Sequence, residues 1–565
     1  MRPSSFRHQS DSRYCFSLSV DKVLIRLAVA KEEEVEDVEV VYGDMFRFAS
    51  EHKDMKMAFA HEDASFRYYE AIVTLFPMRI AYVFRVKQDG KWMYLCETGL
   101  GEGYLFDLAF ISAFQFNGEN PNDFVLPNPT WRGRVFYQVF PERFFSHLDA
   151  KAKPYVDTPW DHKSLKGKPR AFLGGDLWGV KDKLDYLASI GVGALYLTPI
   201  HPSPSNHKYD VLDYFEVDPS FGGKAALFNL VKKAHGLGIK VMLDMVFNHT
   251  AYDHPFFRDV RQKGKDSPYY DWYFVNGDKP TAKPLNYLCF SRHFGMPKLN
   301  TNNPKVQRYL ISVGQYWMKE FDVDGYRLDV SDGVAHDFWI KFKIALKEID
   351  PDVLLIGENW LNAESYLGND QFNGVMNYPF LGVASGYLLG MKDAKQTAEG
   401  LEGLLMRYKD GHDAQMLNLL SSHDVQRTLN LCKGDKELSL MGHAMLMFFP
   451  GFPMVYYGEE IFMEGGPDPD NRRGMEWGSE EFSSSLHQTF VSLMRLHCKR
   501  EFAQGQCHIR EKNGLLYMDF TLDGHGYALW CNLTKEGKPF SGRLLLSNRC
   551  AGGEVWPKGF AVTEI

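Results

Sequence analysis

The chain has 565 residues, 45% of them hydrophobic and 15% aromatic, and a formal charge of -8. It is too long for one hydrophobic core, so one large domain with smaller ones attached is expected. The mixed-sign balance without a long basic block argues against nucleic acid or an anionic membrane as partner, and eight cysteines scattered without a CxxC pair suggest neither a zinc site nor a disulfide framework.

The N-terminal stretch "MRPSSFRHQSDSRYCFSLSV" lacks an apolar core of signal-peptide length. The longest apolar run, "MLMFFPGFPMVYY" at 445–457, is broken by two prolines and a glycine, so no membrane span is expected and a reduced, cytoplasmic location is. Residues 12–125 carry short alternating segments such as "KVLIRLAVA" and "RIAYVFRV" between turn residues, which predicts a β-sandwich over 1–125. A Pro/Asn-rich linker follows at 117–129.

From 130 onward apolar strands alternate with amphipathic helices. Strands are expected at 135–140, 194–200, 240–247, 324–330, 353–359, 374–379, 416–422 and 454–460, and eight of them predict an α/β fold, a (β/α)8 TIM barrel over 126–485. The aromatic, Pro- and Asn-rich excursion at 250–305, after the third strand, is too long for a loop and predicts a small inserted domain. Beyond 486 the pattern returns to strands and predicts a C-terminal antiparallel β-sandwich.

In such a barrel chemistry collects at the C-terminal strand ends. Four polar clusters fall there: "DMVFNH" with Asp244 and His249, "GYRLD" with Arg327 and Asp329, "GEN" with Glu358, and "SHD" with His423 and Asp424. Alternation puts Arg327 and Asp329 on the same side of their strand. One acid alone would read as a structural ion pair. Three acids, an arginine and two histidines on one rim do not, since unpaired charges there would be costly, and no HxxxH or close carboxylate spacing points to a metal. Paired carboxylates on a rim suit double displacement at a sugar anomeric carbon. Asp329 is the expected nucleophile, held ionised by Arg327, and Glu358 the general acid and base, its pKa raised by burial. Asp424 would stabilise the cationic transition state, and His249 and His423 would donate to the sugar.

Together and in order, these motifs resemble the α-amylase family of glycoside hydrolases, within it the cyclomaltodextrinase, neopullulanase and maltogenic amylase branch. "YQVFPERF", "GGDLWGV", "SPSNHKYD", "MPKLN" and "GGPDPDNRRGMEW" are typical of that branch, and the similarity covers nearly the whole chain. The resemblance implies Asp329, Glu358 and Asp424 as nucleophile, acid/base and stabiliser, Tyr209 stacked on the sugar at the cleaved bond, Asp468 and Arg472 on the next sugar, and Trp360 on the leaving-group side. It implies an α-glucan oligosaccharide substrate (cyclodextrins, maltooligosaccharides, pullulan or starch), α-1,4 cleavage with α-1,6 and transfer activity in reach, and a homodimer through the N-terminal domain.

Three positions depart from the family. Gly333 stands where many relatives carry an acid. "SHDVQR" differs just after Asp424. "FSHLDAKAKP" at 145–154 replaces the relatives' Asn/Asp-rich calcium loop, so no calcium is expected there, despite Asp176; no cofactor is required by the reading, and calcium elsewhere stays open. The rival readings are a specialised α-glucosidase or glucanotransferase, a non-catalytic glucan-binding protein on the same fold, and a metal-dependent barrel hydrolase.

Overall fold

The computed structural model describes residues 1–149 and 152–565. They form two compact units, one of Met1–Pro127 with Leu367–Asn369 and Ala394–Ala414, the other of Asn128–Tyr366, Asp370–Asp393 and Gln415–Ile565.

The first unit contains two antiparallel sheets, one centred on strand Lys22–Ala30 and the other on Arg79–Gln88. Val23, Ile25, Leu27 and Val29 from one and Ile80, Tyr82, Phe84 and Val86 from the other share one core, the expected sandwich. The near-continuous apolar run "KVLIRLAVA" has a second cause: the other side of its strand is buried too. There Arg26 donates to Glu70 at 2.6 Å and to Asp410 at 2.8 Å, while Lys31 pairs with Glu399 and His61 with Glu402. Helix Ala394–Leu405 thus belongs to this unit although it follows a barrel strand in the chain.

In the second unit eight parallel strands close into a barrel: β1 (Val135–Val139), β2 (Val192–Leu197), β3 (Lys240–Met245), β4 (Gly325–Leu328), β5 (Leu354–Gly357), β6 (Gly374–Asn377), β7 (Leu417–Leu419) and β8 (Phe452–Tyr456), with β8 paired back to β1 at Phe136 and Met454. All eight fall within or overlap the segments read from sequence. The lower interior is apolar, filled by Phe136, Ala194, Met242, Leu354, Ile356, Met376, Leu417, Phe452 and Met454, with Trp131 stacked on Phe136. Two residues further along several strands, by the same alternation, stand Gln138, Tyr196, Asp244, Arg327 and Glu358. The charged positions are therefore the next inward layer of an otherwise apolar barrel. Gly325 lets β4 approach β5 closely, since a Cβ there would meet the Leu354 carbonyl at 2.6 Å.

The excursion after β3 contains helix Pro255–Lys263, isolated bridges such as Tyr273 with Leu299 and Val275 with Tyr287, and an aromatic cluster of Phe256, Phe257, Tyr269 and Tyr273. Helix Ser485–His497, placed from sequence in the C-terminal domain, packs on the barrel instead: Phe490 contacts His443, and His487 bonds the Glu460 carbonyl at 2.9 Å. It is the amphipathic partner of the last βα repeat. The strands beyond it, from Gln506 to Glu564, form one six-stranded antiparallel sheet. No helix among the described residues is long and apolar enough to cross a membrane.

Candidate active site

Arg327, fully buried, organises the rim. Its Nη1 donates to both Asp244 oxygens at 2.9 and 3.0 Å and to Asp329 Oδ1 at 2.8 Å. Its Nη2 lies 2.9 Å from Glu358 Oε1, within ion-pair range but not aligned for a hydrogen bond. One planar guanidinium thus sets three carboxylates from adjacent strands side by side. Val330, directly after Asp329, sits in the left-handed region (φ 44°, ψ 48°), a conformation unfavourable for a β-branched residue, and its N–H donates to Glu358 Oε2 at 2.8 Å. The strained turn therefore couples the two carboxylates a second time.

Burial raises the Asp329 carboxyl well above the usual carboxylate range; Arg327 opposes this, while Glu358 and Asp244 add to it. Burial likewise pushes Asp244 up to about 6, against Arg327 and the hydroxyls of Tyr196 and Tyr209. Arg327 favours the charged form of Asp329, as expected, but burial outweighs it. One guanidinium faces three buried acids, too little positive charge for all, and Asp329 and Asp244 retain a proton to higher pH than exposed carboxylates.

His423 follows β7. Its Nδ1 meets Gln138 Nε2 at 2.9 Å and its Nε2 the Tyr209 hydroxyl at 2.5 Å, with Asp424 Oδ2 at 3.2 Å. The Tyr209 ring stacks on the His423 ring at 5.4 Å and its hydroxyl donates to Asp244 at 2.8 Å. Burial keeps His423 neutral and lowers His249 to about 3. His249 stacks on Phe290 and its Nε2 is buried with no hydrogen-bond partner among the described residues. Arg472 donates from Nε to the His423 carbonyl at 2.8 Å, meets Asp468 at 3.0 Å and lies 3.6 Å from Asp424. Trp360 is half-exposed, stacks on Tyr378 at 3.9 Å, and donates from its indole to Glu358 Oε1 at 3.2 Å.

All eleven residues singled out from sequence lie in the second unit, linked by these contacts or flanking them on the loops that follow the strands. Gln138, Tyr196, Val330 and Tyr378 were not singled out. For Gln138 there was a signal, a lone amide inside the apolar "VFYQVF". Tyr196, which donates to Asp244 at 2.7 Å, looks like any core aromatic in "ALYLTPI". Lys298 of "MPKLN" donates to Asn248 at 2.5 Å and to the Gly333 carbonyl, tying the inserted segment to the turn after β4.

The chain matches the model of the alpha amylase catalytic domain over residues 138–497 and that of the alpha amylase N-terminal ig-like domain over 1–112. It is 38% identical to a cyclomaltodextrinase of Geobacillus thermopakistaniensis over 88% of this chain and 84% of that one. It is also 38% identical to neopullulanase 2 of Thermoactinomyces vulgaris over 86% of this chain and 83% of that one. A solved cyclomaltodextrinase superposes with a TM-score of 0.89 at 30% identity, covering 100% of this chain and 98% of that one. Fold, rim and these similarities agree: the chain belongs to the alpha-amylase family and is a glycoside hydrolase.

Proposed function

We propose that the enzyme is a retaining α-glucan hydrolase that cleaves α-1,4 bonds of cyclodextrins, short maltooligosaccharides, pullulan and starch, with α-1,6 cleavage and transfer to sugar acceptors as side activities. The observation that carries this reading is the bridging of Asp329 and Glu358 by Arg327 at the C-terminal ends of β4 and β5. An Asp329 oxygen attacks the anomeric carbon as Glu358 gives its proton to the departing glycosidic oxygen, forming a glycosyl ester on Asp329. Glu358, now a carboxylate, takes a proton from water, which displaces Asp329 from the same carbon. Asp424 and Tyr209 face the positive charge that develops on the ring, and Asp468 with Arg472 holds the adjoining sugar. The half-exposed Trp360 offers its free face to the leaving group.

Two further readings accompany it. A homodimer through the N-terminal unit would cover Phe46, Phe76, Leu105, Phe110 and Ile111, all strongly exposed there. A cytoplasmic location suits eight cysteines that are all free thiols. The test is initial rate and product profile on β-cyclodextrin, pullulan, soluble starch and maltotriose, beside Asp329→Ala. Faster turnover of cyclodextrin, yielding maltose and glucose and lost in the variant, is expected; no turnover on any glucan by the wild type overturns the reading.

A further inference from the structure

The family resemblance raises calcium at the loop after β1, and the residues there do not fit it. The residues of that loop up to Asp149 and from Ala152 onward are described; Ala150 and Lys151 lie outside the described residues. The Gly174 carbonyl and the Asp176 carboxylate of the cradle both already meet the Lys153 ammonium, at 2.6 and 2.5 Å. Calcium takes six to eight oxygen ligands, and a dication cannot share two of them with an ammonium in contact.

The cradle is a built one. Gly174 adopts φ 92°, and Glu142 Oε1 accepts from the Leu173 and Gly174 N–H groups at 2.5 and 2.6 Å, which fixes that turn. Gly175 must lack a Cβ, which would meet the Pro141 carbonyl at 2.2 Å. Asp176 caps helix Leu177–Asp182 by accepting from the Gly179 N–H at 2.6 Å, and also accepts from the His147 N–H at 3.4 Å. Lys153 and Asp176 are both largely buried, so one positive charge meets one negative charge out of water.

We infer that Lys153 is the resident cation of this cradle: its side chain does within the chain what a bound divalent ion would do, pinning the loop to the Gly174–Asp176 turn and the helix start. The enzyme therefore binds no calcium there, and this loop needs none for its stability.

The test is thermal unfolding of the full chain in EDTA and in millimolar calcium, with calorimetric titration of the wild type by calcium alone. Neither substrate nor activity enters, so it stands apart from the function proposed above. Expected are equal Tm values and no saturable heat. Lys153→Met should lower Tm by on the order of 5 °C by leaving Asp176 buried and unpaired, and Lys153→Asn should regain part of its loss in calcium. A calcium-dependent gain in the wild type that EDTA reverses and Asp176→Asn abolishes overturns the inference, as does an unchanged Tm in Lys153→Met. If Lys153→Met does not fold, the wild-type titration decides.

Discussion

Two buried arginines, one in each unit, solve the same problem differently. Arg26 in the N-terminal unit and Arg327 in the barrel are both almost without solvent exposure, and each is bonded to carboxylates. The partners of Arg26, Glu70 and Asp410, keep 19% and 37% of their side-chain surface in water, whereas those of Arg327 keep 8% or less. Water screens the surplus negative charge around Arg26 and cannot around Arg327. The first cluster is a clasp. The second gathers more buried carboxyls than one guanidinium can neutralise, and burial raises Asp329 and Asp244 above the usual carboxylate range, the kind of perturbation expected where acids do chemistry.

The largest effect that would break this contrast is on turnover. Asp329→Ala and Glu358→Gln should each lower kcat on the order of 10⁴-fold, with Tm unchanged or raised, because a surplus buried carboxylate is gone. A variant that keeps wild-type kcat removes its residue from the chemistry. Arg26→Met should behave in the opposite way, losing about 2 kcal/mol of stability through its stranded partners, discounted for their exposure, while kcat below the transition is retained. A fall in kcat without a fall in Tm would make the two clusters alike.

A smaller effect is on pH. Asp244 is pushed from 3.8 to about 6 in the folded state, so the folded protein holds that proton more tightly than the unfolded chain. The stability this confers is present below 3.8, is lost as pH rises to about 6, and stays lost above. In activity, the acid limb of kcat/KM reports the same coupled set. Asp244→Asn removes a like charge that helps raise Asp329, so the limb should move to lower pH. A limb that moves to higher pH would mean that the hydrogen bonds of Asp244 outweigh its charge.

How much of this was legible follows the same division. The barrel strands could be read because strands covered on both faces are apolar runs, and the rim because a charge two residues beyond such a run has one place to point. Arg26 could not be assigned its clasp: "KVLIRLAVA" shows the charge, but Asp410 stands 384 positions away and is brought in only by tertiary packing. Lys153 was invisible for a related reason. Its partner turn is made by glycines whose backbone angles fix where a carbonyl points, and composition carries no such direction. For Asp329, the pairing with Arg327 is visible in sequence, while the burial and the number of acids sharing that arginine, which together raise its carboxyl, are not.

The smallest and most discriminating test lies at Val330. Its left-handed backbone costs about 1–3 kcal/mol, and Val330→Gly would relieve that strain while adding freedom to the unfolded chain, effects that largely cancel. Stability should therefore shift little. If the turn exists to aim the Val330 N–H at Glu358, the looser glycine should lower kcat roughly two- to fivefold with KM nearly constant, the cost of less well-held geometry. The Arg26 cluster contains no such strained residue at its contacts, so an unchanged kcat in Val330→Gly would leave burial alone, without backbone strain, to separate a catalytic cluster from a structural one.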